Sequence, residues 1–251
     1  MKKKYVQVGL GGRARFFYEA IASTYHQTCE LVGFCDVSQT RMDYANRILV
    51  NKYGQKKVKT CMPSQFEQLL DDVRPAEVII TSVDRTHHDY IIRAMKKGYD
   101  VICEKPLTID EEKAQEIITV QKQTGRSLRV TFNYRYAPYH TKIKELIESD
   151  VIGDVFSIHF EWLLNTQHGA DYFRRWHRNK HNSGGLLVHK STHHFDLVNF
   201  WLNSRPQKVF AFGGLNFYGM HNAEKRGVEI FYSRCYGSEL AKADPFAIDL
   251  S

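Results

Sequence analysis

The chain holds 251 residues, room for one large domain or two of ordinary size. Hydrophobic residues make up 43% and charged residues 25%, which excludes a disordered or low-complexity chain and allows a packed core. The net charge of +7, from 35 basic and 28 acidic side chains, is scattered in short runs without a recognisable nucleic-acid module, so nucleic acid is not an expected partner.

The basic start Lys2-Lys3-Lys4 is followed by Gln7, Gly9, Gly11, Gly12 and Arg13, which interrupt any signal-peptide core. No later apolar run approaches the ~20 residues that span a bilayer, so no membrane contact is expected. Cys29, Cys35, Cys61, Cys103 and Cys235 show no C-x-x-C spacing and read as reduced thiols of a cytoplasmic protein.

The β-rich run 5–10 continues as Gly9-Leu10-Gly11-Gly12-Arg13-Ala14, a G-x-G-x-x-A pattern, and then as a helix-length stretch reaching residue 25. Strand, glycine turn and helix in that order make a dinucleotide site. Gly9 permits the tight turn, Gly11 lets the backbone approach a pyrophosphate, and Ala14 lets helix and strand pack closely. The helix N-terminus adds amides and a positive dipole end. A second strand, 30–35, ends at Asp36, placed to accept hydrogen bonds from both ribose hydroxyls of NAD and to repel the 2′-phosphate of NADP. Arg41 is the nearby residue that would accommodate NADP instead.

Helix and strand keep alternating. Residues 39–53 read as helix, and Ser64-Gln65-Phe66-Glu67 is a capping box opening a short one. A buried strand, 77–81, precedes a helix over 87–97 closed by Gly98. The strand 99–103 then delivers Glu104-Lys105-Pro106. Thr108-Ile109-Asp110-Glu111 is a second capping box, its helix ends at Gly125, and 128–132 is a last strand. Such alternation means α/β: a doubly wound parallel sheet of Rossmann type over 1–130. Pro106 restricts the residue before it, so Lys105 is held extended at the carboxyl end of a strand, where open α/β sheets bind ligands. A lysine there can give or take a proton if its surroundings bring its pKa toward neutrality.

Beyond residue 130 the pattern changes. A helix over 138–149 leads into a long aromatic strand, 154–162, and a polar, aromatic, basic segment, 165–182. One helix, 186–202, is entered at Gly185, and 207–217 and 228–235 read as strands. On that helix His189 and His193 are four apart and face the same way. No glutamate follows the first histidine as H-E-x-x-H requires, and no metal is assigned. Arg174, Trp176, His177 and Lys180 either meet substrate or form a solvated loop. His87 lines the nicotinamide pocket or caps its helix.

Together these motifs resemble the Gfo/Idh/MocA oxidoreductases, named for glucose–fructose oxidoreductase and inositol dehydrogenase. The resemblance rests on Gly9-Leu10-Gly11-Gly12-Arg13-Ala14, Asp36, the loop from Thr81 to His87, Glu104-Lys105-Pro106, Asn133-Tyr134-Arg135-Tyr136-Ala137-Pro138, and Gly184-Gly185 followed by His193 and Asp196. It implies a Rossmann domain followed by an α+β domain, 131–251, whose open, mostly antiparallel sheet carries a carbohydrate site and joins copies into a homo-oligomer. It also implies hydride transfer between nicotinamide and a sugar or polyol carbon. Lys105 and His193 would act at the reacting hydroxyl, His193 accepting its proton at a pKa near neutrality. Ser82, Thr81, His87 and Glu104 would join the glycine loop, Asp36 and Arg41 around the cofactor. Arg135, Trp176, His177, Lys190 and Asp196 would meet the substrate.

Two departures stand out. Many dehydrogenases of the family carry an aspartate where this chain has His189, followed by Lys190, so His189 is the candidate orienting partner of His193. Members also run well past 251 residues, so the C-terminal sheet is expected to be incomplete. The leading expectation is an NAD-dependent carbohydrate dehydrogenase. The alternatives are a glycoside-cleaving relative that retains its cofactor and a non-catalytic nucleotide-dependent regulator.

Overall fold

The computed structural model describes residues 2–165, 168–169, 172–173, 175–228, 232, 237–244 and 247. Six parallel strands form one sheet: β1 (Lys3–Val8), β2 (Cys29–Cys35), β3 (Lys59–Cys61), β4 (Glu77–Ile80), β5 (Asp100–Cys103) and β6 (Leu128–Val130). Their spatial order is β3-β2-β1-β4-β5-β6. The strands are short apolar runs because helices cover both faces of such a sheet. These are α1 (Ala14–Ala22), α2 (Gln39–Tyr53), α3 (Phe66–Val73), α4 (Asp84–Lys96) and α5 (Glu111–Thr124). Two buried clusters result. Leu10, Tyr18, Phe34, Met42 and Leu49 pack under α1 and α2, and Val6, Ile80, Phe66, Ile91, Met95 and Ile117 pack under α3, α4 and α5. In register, Val8 stands beside Cys35 of β2 on one side and Ile80 of β4 on the other. The chain turns opposite ways from β1 and β4, so a crevice opens at their carboxyl ends.

Helix starts differ from the capping patterns. At α3, Pro63 begins a 3₁₀ turn, Pro63–Gln65, which draws Ser64 inside the turn, and α3 starts at Phe66 without a side-chain cap. At α5 the cap is Asp110, whose carboxylate accepts from Lys113 N at 3.0 Å; the buried Thr108 hydroxyl has no partner among the described residues. The helix expected over 87–97 begins at Asp84.

The second half holds a 3₁₀ turn (Asn133–Tyr136), α6 (Pro138–Glu148), a 3₁₀ turn (Trp176–Arg178), α7 (Lys180–Ser183), α8 (Leu186–His189), α9 (Thr192–Leu202), α10 (Met220–Lys225) and a last 3₁₀ turn (Glu239–Ala243). Helix α6 packs on α9, where Leu197 and Trp201 are buried and Trp201 Nε1 donates to His140 O at 3.1 Å. The single helix expected over 186–202 is two, interrupted at Lys190 and Ser191, so His189 and His193 do not share a helix face. The buried Lys190 reaches Tyr134 instead of following a helix surface.

The strands expected at 154–162 and 207–217 do not form. A strand exists only by pairing, and no described residue forms a ladder with either run. Phe156, Phe210 and Phe212 are left almost fully exposed. Most of 228–235, with Cys235, lies outside the described residues, so the expected antiparallel sheet is not present among them. Cys35, Cys61 and Cys103 are buried free thiols. No helix among the described residues is long and apolar enough to cross a membrane.

Candidate active site

The glycine loop is built by close approach. Gly9 has φ +81°, and a Cβ there would stand 2.4 Å from Ser82 Cα, inside the loop that follows β4. Only glycine lets the two loops touch at the crevice floor. Thr81 braces them, its hydroxyl donating to Gly9 O at 2.6 Å. Gly11 and Gly12 face open space where side chains would stand, which leaves a cradle for a bulky group. Ala14, fully buried, receives Gln7 Nε2 on its carbonyl at 3.0 Å and seats α1 on β1.

Asp36 ends β2 with both carboxylate oxygens on backbone amides: Leu10 N at 2.6 Å and Ser38 N at 2.8 Å. It therefore shapes the glycine loop, and each oxygen keeps a lone pair for a ribose hydroxyl. Arg13, entering α1, pairs with Glu104 at 2.8 Å; Glu104 also accepts from Thr131 Oγ1 at 3.1 Å and Lys105 N at 3.1 Å. The buried His87 ring lies between the Pro106 carbonyl (2.8 Å) and the Ser82 carbonyl (3.1 Å), clamping the loops after β4 and β5.

The second half closes over this floor at Gly184. Its φ is +69°, and a Cβ there would meet Ile109 O at 2.6 Å, so only glycine permits this approach. Helix α8 then delivers His189. Lys105 Nζ donates to His189 O at 2.9 Å, a cation on a helix C-terminus, while His189 Nδ1 bonds the buried carboxylate of Asp84. Both ties join the two halves. His193, entering α9, stacks flat on Tyr134 with ring centroids 4.0 Å apart, and Lys190 Nζ donates to Tyr134 OH at 2.7 Å. The ring of His177 lies 4.5 Å and that of Trp176 5.4 Å from the ring of His189, centroid to centroid.

Burial dominates the electrostatics. It pushes the Asp84 carboxyl up to about 7, against the opposing pull of His87 and Lys105. It lowers the Lys105 ammonium, although Asp84 and Glu104 favour the charge. His189 and His193 are each driven down to about 3 by burial and by the cations Lys105 and Lys190. His193 therefore stands neutral, not poised near neutrality, and its buried Nδ1 has no partner among the described residues.

A cleft of about 750 Å³ runs from the glycine loop to these histidines. It is lined by Gly9, Gly11, Gly12, Arg13, Asp36, Arg41, Thr81, Ser82, His87, Glu104 and Lys105, and further by Trp176, His177, His189, Lys190 and His193. Four expected site residues lie off it. Leu10 and Ala14 are packed beneath the loop, and Arg135 and Asp196 are spent on each other: Arg135 Nε donates to Asp196 at 2.7 Å and a second nitrogen completes a fork. Lys180 stays exposed on α7, and Arg174 lies outside the described residues. Sequence reasoning missed Asp84 and Tyr134, which line the cleft. The available signal was position: Asp84 follows the carboxyl end of a strand, and Tyr134 sits inside the motif that starts at Asn133.

A profile described as "Oxidoreductase family, NAD-binding Rossmann fold" matches residues 3–132, and one described as "Oxidoreductase family, C-terminal alpha/beta domain" matches 144–244. A Bacillus subtilis protein named as an oxidoreductase, YteT, is 38% identical over 219 residues, 86% of this chain and 50% of its own length. Inositol 2-dehydrogenase of Rhizobium meliloti is 32% identical over 136 residues, 54% of this chain and 39% of its own. In fold the chain is similar to scyllo-inositol dehydrogenase of Lactobacillus casei, solved with NAD(H) and scyllo-inositol: TM-score 0.65, 22% identity, 81% of this chain and 57% of that one. The chain spans about half the length of the curated relatives it matches. With an NAD-binding Rossmann domain over 3–132 and both family profiles matched in order, the chain belongs to the Gfo/Idh/MocA oxidoreductase family.

Proposed function

We propose that the protein is an NAD-dependent dehydrogenase acting on a CH–OH group of a sugar, polyol or related carbohydrate. The observation that carries this reading is a continuous cleft in which the glycine cradle and Asp36 occupy one end and Lys105, His189 and His193 the other. The residues present fit a dinucleotide. Gly11 and Gly12 leave room for a pyrophosphate, the α1 N-terminus supplies amides, and Asp36 keeps acceptors for a ribose while its charge opposes a 2′-phosphate. Arg41 lines the same end and is the residue through which NADP would gain a foothold. Bound there, the oxidised nicotinamide supplies a hydride acceptor. The chain's own residues do the rest. Lys105, with its charge weakened by burial, donates to the substrate oxygen; neutral His193 holds that oxygen by a hydrogen bond; Trp176, His177 and Lys190 wall the carbohydrate end. Relatives named inositol 2-dehydrogenase and glucose-6-phosphate 3-dehydrogenase support the carbohydrate class.

The test is a panel of sugars, polyols and glycosides with purified protein, followed by nicotinamide absorbance. Turnover with NAD is expected. Lys105→Met should then lower kcat by ~10²–10⁴, the loss typical of a positioned acid or base, and leave the NAD Kd within a few-fold. Full turnover in Lys105→Met on an identified substrate would overturn the assignment.

A further inference from the structure

We propose that Asp84 and His189 form one proton-accepting unit for the substrate hydroxyl, with His189 Nε2 touching the substrate and Asp84 as the positioning residue. The source of the proton rests on the dehydrogenase reading above; the pairing itself does not. Asp84 opens α4 directly after the β4 loop, and His189 closes α8 in the other half of the chain. Asp84 is 3% and His189 8% exposed, and the carboxylate meets Nδ1. A carboxylate on Nδ1 keeps the hydrogen there, leaves Nε2 as an acceptor and fixes the ring plane.

No described residue hydrogen-bonds His189 Nε2, and the ring lines the cleft with Lys105, whose Nζ lies 2.9 Å from the same residue's carbonyl. Among the described residues no carboxylate meets His193, and none partners its buried Nδ1, so no described group sets its tautomer. That contrast assigns the proton to His189.

The groups facing the pair are His87 from α4, Glu104 and Lys105 from the end of β5, Lys190 after α8, and the rings of Tyr172 and His177. Burial disfavours an imidazolium, Lys105 and Lys190 adding to it, and burial outweighs the pull of Lys105 on the Asp84 carboxyl, so the added proton is best held as a carboxylic acid beside a neutral ring. In oxidation the substrate O–H bond breaks and its proton bonds to His189 Nε2, while the Nδ1 proton passes to Asp84. The carbinol carbon loses its hydrogen with two electrons to the oxidised nicotinamide, and its C–O bond becomes a carbonyl.

Imidazole ¹⁵N NMR on the full chain, with His189 identified by His189→Gln, tests the pair without any substrate. Above neutral pH the His189 signal should be the Nδ1–H tautomer, and the pair should take up one proton as pH falls through about 7. Asp84→Asn should abolish that uptake. An Nε2–H tautomer above neutrality, or an uptake that persists in Asp84→Asn, overturns the pairing whatever the protein oxidises. On a substrate from the panel, Asp84→Asn should lower kcat by ~10²–10⁴ with KM within a few-fold and flatten the rise of kcat with pH. The double variant Asp84→Asn/His189→Gln should be little worse than either single one. A kcat–pH profile unchanged in Asp84→Asn overturns the proton role. A panel without turnover removes the hydroxyl as proton source and fails the dehydrogenase reading, while the NMR still decides the pair.

Discussion

Gly9 and its neighbours in the loop carry opposite predictions. Gly9→Ala forces a Cβ against Ser82 backbone at a positive φ, so it should cost ~1–3 kcal/mol of stability, as overpacking does, and weaken NAD binding with it. Gly12→Ala points into open space and should keep the parent Tm while weakening NAD binding. Thermal melting alongside NAD titration separates the two. Asp36 should make NADP the weaker ligand, and equal affinity in parallel titrations would show that Arg41 dominates. The histidines set the acid side of stability. With folded values of about 3 against ~6.5 unfolded, His189 and His193 are protonated first in the unfolded chain, so stability falls as pH drops below ~6.5. Asp84, raised to about 7, acts the other way: its contribution is lost as pH rises from ~4 to about 7. Two histidines against one aspartate leave a net acid loss. His193→Phe should make the Tm-against-pH curve shallower below ~6.5.

Among elements, the ion pair of Arg135 with Asp196 decides how α9 sits against the turn before α6. Both were candidates for substrate contact, yet the fork occupies both carboxylate oxygens. Asp196→Asn should therefore lower stability by ~1–3 kcal/mol, the loss expected when a charged hydrogen-bond partner is removed, and leave NAD affinity unchanged. Denaturant melts and cofactor titration check it; a changed NAD Kd with normal stability would return Asp196 to the site. The interruption between α8 and α9 matters as much. It turns two histidines that an unbroken helix would stack on one face into residues with separate partners, Asp84 for His189 and Tyr134 for His193.

For the whole molecule, both halves line the cleft, so ligand binding should report on the complete fold. NAD at 100 times its Kd should add ~2.7 kcal/mol to stability by mass action. Outside the cleft, Phe156, Leu163, Val209, Phe210 and Phe212 are largely exposed, apolar surface of a kind that promotes association. Light scattering should show concentration-dependent self-association, reduced in Phe156→Ser/Phe210→Ser/Phe212→Ser. A monodisperse parent at all concentrations would rule this out.

The alternation of apolar runs with helix-length segments by itself determined the parallel sheet, because each strand and helix announces its buried face within a few residues. The placement of the glycine loop, Asp36 and Lys105 along the cleft was legible for a related reason: each follows the end of a strand. The aromatic runs 154–162 and 207–217 were misread as strands, since such a run becomes a strand only when a neighbour pairs with it, and local sequence does not carry that information. The partners of His189 were also decided only in three dimensions. Asp84 lies 105 residues away, and its hydrogen bond depends on Gly184 letting the second half settle onto the loop after β5. The low proton affinity of both histidines has the same origin, for desolvation is a property of what surrounds a ring and not of the ring's place in the chain.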